Sequence, residues 1–326
     1  REMRAAQNQK SNSGCMARWI PGPPRPRCGG PYYLPGPFFV KGDFAMEPDL
    51  IEVFGSYLSW KLNEDTWIIN FMNGSQNIYL LEGAERALLI DNGWGAGNLR
   101  AHVERLTQKP VTAALTHGHL DHGGGCGEWE EVLMLPGGEA DLFTCHRLPF
   151  DVSKLPHPDF RRTLVRDGDR IDLGGRTVEL LDISAHSNGS LAFLDGKDGC
   201  LFVGDELESA QVLMYETEAI PGIEFVLDRR LRAHHANMLR LRARREEWNT
   251  ILPAHNGAPI AHAYLDDYIA LTEHIYAGDA VVEDKLNHKY AEAGDPEGKL
   301  CRVRWRGASF FVVKADLMAL YGSRAL

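Results

Sequence analysis

Cysteine is sparse and scattered in this chain. Cys15, Cys28, Cys126, Cys145, Cys200 and Cys301 form no C-x-x-C pair and no dense framework. That excludes a disulfide-stapled scaffold and a thiolate zinc ribbon, and it points to free thiols in a reducing compartment. No apolar run approaches the ~18–20 residues of a membrane span, so no membrane partner is expected. The first residues lack the apolar core of a secretory signal, and the expected location is the cytoplasm. A basic surface is missing too. Lys and Arg number 35 against 45 Asp and Glu, a net charge of −10, which speaks against nucleic acid as a partner. No internal repeat marks a solenoid. Gly93, Gly95 and Gly97 follow a strand, but their G-x-G-x-G spacing is not the dinucleotide fingerprint. The next strand ends in Thr116-His117 rather than in an acid for a ribose.

The chain has 326 residues, 44% hydrophobic and 25% charged, an ordinary composition for a folded domain. Residues 1–44 stand apart. Their polar start and the run Pro21-Gly22-Pro23-Pro24-Arg25-Pro26-Arg27 cannot bury enough apolar surface to offset ordering entropy, and they read as a poorly ordered tail. Residues 45–278 read as one domain, and 279–326 as an extension packed on it. Strands are expected over residues 50–58, 66–71, 77–81, 87–90, 111–115, 131–135, 170–173, 177–183, 191–194, 200–203 and 249–252. Helices are expected over 98–107, from 139 to 145, over 229–245 and over 261–276. An irregular, Pro-containing flap is expected over 146–165. The final fifty residues read as a helix, a hairpin over 301–313 and a last helix.

The chemistry concentrates after one strand. The apolar run from Val111 to Leu115 turns polar at Thr116 and is followed by His117-Gly118-His119-Leu120-Asp121-His122, closed by Gly123-Gly124-Gly125. Alternate side chains of such a loop point to one side, so His117 and His119 can grip one cation. Asp121 and His122 then turn toward a second position. Imidazole and carboxylate donors suit zinc, iron or manganese. Burying these groups with no cation would leave several polar groups unsatisfied. Other histidines have simpler explanations. His146, His157, His262 and His274 read as surface or helix residues. His234 and His235 are adjacent on one helix and cannot both face one site. The seven arginines of 229–245 read as a solvated helix face, with one or two free to meet an anionic substrate. Cys126 reads as a small buried residue near the loop.

The H-x-H-x-D-H loop resembles the signature of the metallo-β-lactamase superfamily, and further strand ends resemble its other motifs in order: Ser184-Ala185-His186, Gly204-Asp205 and Pro253-Ala254-His255-Asn256-Gly257. The resemblance runs over residues 65–275. It implies an α/β fold, the four-layer αββα sandwich, with a two-metal site at the sheet edges. Carried across by position, His117, His119 and His186 would hold one divalent cation. Asp121, His122 and His255 would hold the other, and Asp205 would bridge them. Zinc is the first expectation, with iron or manganese as alternatives. Asp91 would back the ligands from behind, and Trp94 would wall the pocket.

The reaction implied is attack of a metal-bridging hydroxide on the carbonyl of a small ester, thioester, lactone or amide, with Asp121 as the catalytic acid–base. The set is closer to glyoxalase II-like thioesterases and lactonases than to antibiotic β-lactamases, which lack the bridging aspartate. Glu206-Leu207-Glu208 follow Asp205 where lactonases often carry a tyrosine. The partner expected is a small-molecule substrate, and the sequence assigns no oligomeric state. Other classes compatible with parts of the pattern are a mononuclear iron oxidoreductase similar to persulfide dioxygenases, a phosphodiester or sulfate-ester hydrolase, and a non-catalytic binding module.

Overall fold

Along the central strands, successive side chains enter different cores. The computed structural model describes residues 57–71, 76–95, 97–144, 159–216, 222–283 and 298–322. Ile78 and Leu80 pack into one apolar cluster, Tyr79 and Leu81 into another. Leu88 and Leu89 divide in the same way. Period-two alternation with apolar groups on both faces is what a sheet covered on both sides requires.

The first sheet has seven strands in sequence order: β1 (Tyr57–Asn63), β2 (Thr66–Phe71), β3 (Asn77–Glu82), β4 (Ala87–Ile90), β5 (Val111–Ala114), β6 (Glu131–Met134) and β7 (Arg161–Leu164). Its first four strands are antiparallel, and β4 to β7 run parallel. Helix α1 (Leu99–Leu106) buries Leu99 and Val103 in the cluster on its outer face. Asn98 caps α1 by accepting the Ala101 N–H at 2.8 Å.

The second sheet has the order β13-β11-β10-β9-β8, from β8 (Arg170–Asp172), β9 (Thr177–Asp182), β10 (Leu191–Asp195), β11 (Cys200–Gly204) and β13 (Thr250–Pro253). Phe193 and Phe202 face the first sheet, while Ala192, Leu201 and Val203 face outward. On that outer face lie α4 (Leu227–Ala243) and α5 (Ala263–Ala277). Helix, sheet, sheet and helix give the four layers expected.

A third, smaller sheet joins β12 (Val212–Met214) to β16 (Ala308–Val313), β15 (Leu300–Trp305) and β14 (Val281–Glu283). Val303 and Phe310 from this sheet, and Leu317 from α6 (Lys314–Gly322), share the cluster that holds α4 and α5. No helix among the described residues is long and apolar enough to cross a membrane.

Several elements differ from the sequence reading. The helix expected from 139 to 145 is the short α3 (Pro136–Ala140). It stops because the Asp141 carboxylate accepts the Asn188 N–H at 2.5 Å and Phe143 takes φ 68°. Within the expected flap, residues 161–164 form β7. Its Arg-Arg-Thr-Leu sequence hides the strand because Arg161, Arg162 and Leu164 are exposed on a sheet edge. Residues 281–283 are a strand where a helix was expected. The tail, residues 50–56, most of the flap, His146, His157, Cys15, Cys28 and Cys145 lie outside the described residues.

Candidate metal centre

Four strand ends deliver the seven candidate donors to one place. His117 and His119 follow β5, and the one-turn helix α2 (Leu120–Gly123) displays Asp121 and His122. His186 follows β9, Asp205 follows β11 and His255 follows β13. Two glycines permit this convergence. A Cβ on Gly118 would lie 2.2 Å from the Gly138 carbonyl oxygen, and Gly204 takes φ +53° with the Thr116 side chain 2.8 Å from where its Cβ would be.

His119 Nδ1 lies 2.9 Å from His117 Nε2 and 3.1 Å from His186 Nε2. In the second group, His255 Nε2 is 3.3 Å from His122 Nε2 and 3.1 Å from Asp121 Oδ2. Asp205 stands between the groups. Its Oδ2 is 3.7 Å from His186 Nε2 and 3.5 Å from His255 Nε2, and its Oδ1 is 3.4 Å from His122 Nε2. Metal–donor bonds of ~2.0–2.1 Å at tetrahedral angles place donors about 3.3 Å apart, so both groups fit cations of that size. Asp205 Oδ1 is also buried with no hydrogen-bond partner among the described residues. A bound cation would satisfy that oxygen where no protein donor does.

Three of the ring nitrogens turned away from the centre have protein partners. His186 Nδ1 donates to the Leu213 carbonyl at 2.7 Å. His122 Nδ1 donates to Asp91 Oδ2 at 2.9 Å, and His117 Nδ1 lies 3.1 Å from Thr116 Oγ1. Thr116 itself donates to Asp91 through its N–H at 2.7 Å and its hydroxyl at 2.9 Å. These partners set each tautomer so that the other nitrogen offers its lone pair inward.

The electrostatics divide the set. Burial and neighbouring imidazoles hold His117 well below the ordinary histidine range, so it is a neutral donor. Burial pulls His122 and His255 the same way, but carboxylates outweigh it. Asp121, Asp205 and Asp91 raise His122 well above its usual value, and Asp205 with Asp121 pushes His255 up to about 10. Against their burial, the same histidines hold Asp121 and Asp205 well below the usual carboxylate range. The second group therefore attracts positive charge. Exposure divides the set too: His117 and His186 side chains are 1% exposed, those of Asp121 and His255 18% and 20%.

Residues 72–280 match the model of the Metallo-beta-lactamase superfamily. The chain belongs to that superfamily. Over 156 residues it is 30% identical to the acyl-coenzyme A thioesterase MBLAC2 of Gallus gallus, covering 40% of this chain and 56% of that protein. It is 29% identical to the hydroxyacylglutathione hydrolase GloC of Haemophilus influenzae, covering 40% of this chain and 66% of that protein. The chain thus spans little more than half the length of the thioesterase relatives. A metallo-beta-lactamase family protein of Thermus thermophilus superposes with TM-score 0.50 at 20% identity, over 77% of this chain and 99% of that one, and shares the fold. The relatives are hydrolases of the thioesterase and glyoxalase II type, as the resemblance implies.

The structure brings all seven donors together and puts Asp91 behind them. Trp94 is half-buried, with its backbone against Gly124. His234 is buried with Nε2 on the Glu206 carbonyl, and His235 reaches Glu273, so neither joins the centre. Cys126 is buried, with its Sγ accepting from Asn92. Six of the seven arginines of the 229–245 segment face a carboxylate: Arg230 meets Glu216, Arg232 meets Asp228, Arg240 meets Asp167, Arg242 and Arg245 meet Asp266, and Arg244 meets Glu179 and Glu247, while Arg229 donates to the Glu224 carbonyl.

Sequence reasoning missed several neighbours of the donors. The Gln76 side-chain amide packs 3.2 Å from His122 Nδ1, whose proton goes to Asp91. The buried Glu206 carboxylate accepts the N–H groups of Ala185 at 2.8 Å and His186 at 2.7 Å. Three acids in four residues after an apolar strand, Asp205 to Glu208, were the one available signal.

Proposed function

We propose that this chain is a binuclear metal-dependent hydrolase of thioesters. One observation carries the reading: two donor groups, His117/His119/His186 and Asp121/His122/His255, meet on the carboxylate of Asp205. Two divalent cations, zinc first by the all-nitrogen-and-oxygen donor set, supply Lewis acidity and draw the pKa of water down from ~16 toward 7.

The protein's own groups do the rest. Neutral His117 and His186 present lone pairs without a proton to lose. Asp121 keeps one oxygen on His255 and is partly open to solvent. It takes the proton of the attacking water and passes it to the departing sulfur, so that thioester and water become acid and thiol. Exposure at Asp121 and His255 marks the side from which the substrate arrives. The thioester class rests on the relatives, acyl-CoA and hydroxyacylglutathione hydrolases by name, together with a nucleophile site suited to any activated carbonyl.

The test is metal content by mass spectrometry on protein purified without added metal, combined with a panel of an acyl-CoA, a glutathione thioester, a homoserine lactone, a cephalosporin and a phosphodiester. About two ions per chain and turnover of the thioesters is the expected result. One iron with oxygen uptake on glutathione persulfide and no hydrolysis would replace this reading with the dioxygenase. Absence of metal would remove the centre itself.

A further inference from the structure

β11 and β13 are parallel neighbours, and their ladder extends one step past β13, where Ala254 N–H donates to the Gly204 carbonyl at 3.0 Å. Asp205 and His255 are the next residues on each strand. Asn77 N–H donates to the Ala254 carbonyl at 2.7 Å, so backbone pairing holds the chain as far as Ala254. His255 follows directly, and Asn256 and Gly257 after it are exposed.

Two groups from the segment after Asp205 reach across to the residue that follows His255. Ser209 Oγ donates to the Asn256 carbonyl at 2.6 Å, and Asn256 Nδ2 donates to the Glu208 carboxylate. Glu208 is buried, so this grip comes from a fixed point rather than a mobile surface chain. Asn256 holds φ +60°, a left-handed conformation that asparagine tolerates better than other residues with a Cβ. A backbone turn of that kind directly after a donor sets the direction in which the donor leaves the strand.

We propose that Glu208 is a positioning residue for the second cation, acting through Asn256 to hold His255 in place. The inference rests on the metal-centre reading above. Asp205 reaches both cation positions, and the segment it begins also braces His255, so the bridge and the most exposed donor are fixed by one piece of chain. The Glu206 carboxylate does the corresponding work for His186 by holding the N–H groups of its loop. Alternate acids after the bridge thereby steady one histidine in each group.

The experiment is a zinc titration against a chromophoric chelator, resolving two affinities per chain, in the parent and in Glu208→Leu, Glu208→Gln and Asn256→Gly. Asn256→Gly keeps the left-handed backbone and removes only the tether, on an exposed residue that leaves folding intact. The expected result is a second ion weakened about 10–100-fold in Glu208→Leu and Asn256→Gly, with the first ion bound as in the parent. Glu208→Gln, which still accepts from Asn256, restores the second affinity. If Glu208→Leu misfolds, Asn256→Gly decides. Parent-like binding of both ions in Asn256→Gly, or equal weakening of both, overturns the positioning role while leaving the centre standing. A parent that binds no zinc overturns both.

Discussion

Asp91 Oδ2 accepts a hydrogen bond from His122 Nδ1 at 2.9 Å, and the same carboxylate holds Thr116 by its N–H and hydroxyl. One acid therefore sets the orientation of His122 directly and that of His117 through Thr116. It does so from a left-handed backbone, φ 68°. Asp91→Ala would strand the His122 and Thr116 donors in a buried place. The expected outcome is a loss of about 10–100-fold in metal affinity, read by competition with a chelator.

Asp121→Ala tests the proton path. Turnover of a thioester should fall by about 10²–10⁴-fold while the far-UV circular dichroism spectrum stays that of the parent. Parent-like turnover would remove Asp121 from the reaction.

Asp205→Ala tests the bridge. With its carboxylate gone, the two donor groups lose their shared member, and the metal content by mass spectrometry should drop toward one ion per chain. An unchanged stoichiometry would mean that Asp205 bridges nothing.

His234 gives the fold an acid sensitivity of its own. Burial between the rings of Tyr268 and Phe310 lowers it to about 4, although its Nε2 donates to the Glu206 carbonyl. An unfolded histidine binds its proton near pH 6.5, so between there and pH 4 the unfolded state holds a proton that the folded state refuses. Stability is therefore lost as pH falls through that window, by an amount on the order of 3 kcal/mol for this residue. His234→Phe should show a shallower decline of urea-unfolding free energy between pH 7 and pH 4 than the parent. Equal slopes would clear His234 of the effect.

Arg176 makes the complementary case, a buried charge that is satisfied. Its guanidinium donates to Asp195 at 2.6 Å, Asp198 at 3.0 Å, Thr66 at 2.7 Å and the carbonyls of Asp65 and Glu82. It ties the first sheet to the second. Arg176→Met would leave the Asp195 carboxylate buried without its cation, and unfolding should become easier by about 3–5 kcal/mol in denaturant titration.

The H-x-H-x-D-H loop was legible as a donor cluster from its own residues, whereas His186, Asp205 and His255 entered only through the resemblance of their strand-end motifs to the superfamily's. The layered architecture was legible because 78–81, 88–90 and 200–203 are apolar on both faces. Apart from Asp91, what supports the donors was not legible. Glu206 reaches His186 and Glu208 reaches Asn256 across long stretches of sequence, and their residue types are common everywhere. β12 has only three residues, and β7 carries arginines where a buried strand would carry valines. The adjacency of His234 and His235 correctly kept both out of the centre, but nothing in the sequence showed that His234 is buried against Glu206.

The carbonyl that orients His186 belongs to Leu213, on β12, and β12 is held in parallel register by β16, with Leu213 opposite Phe311. Ser309 adds a hydroxyl bond to the Ala210 carbonyl at 2.6 Å. All seven donors lie upstream of residue 256, yet the strand that steadies one of them is synthesised only with residues 308–313. The orientation of His186 therefore depends on a hairpin more than a hundred residues downstream of it, and a chain cut before residue 308 keeps all seven candidate donors while losing the strand that β12 pairs with.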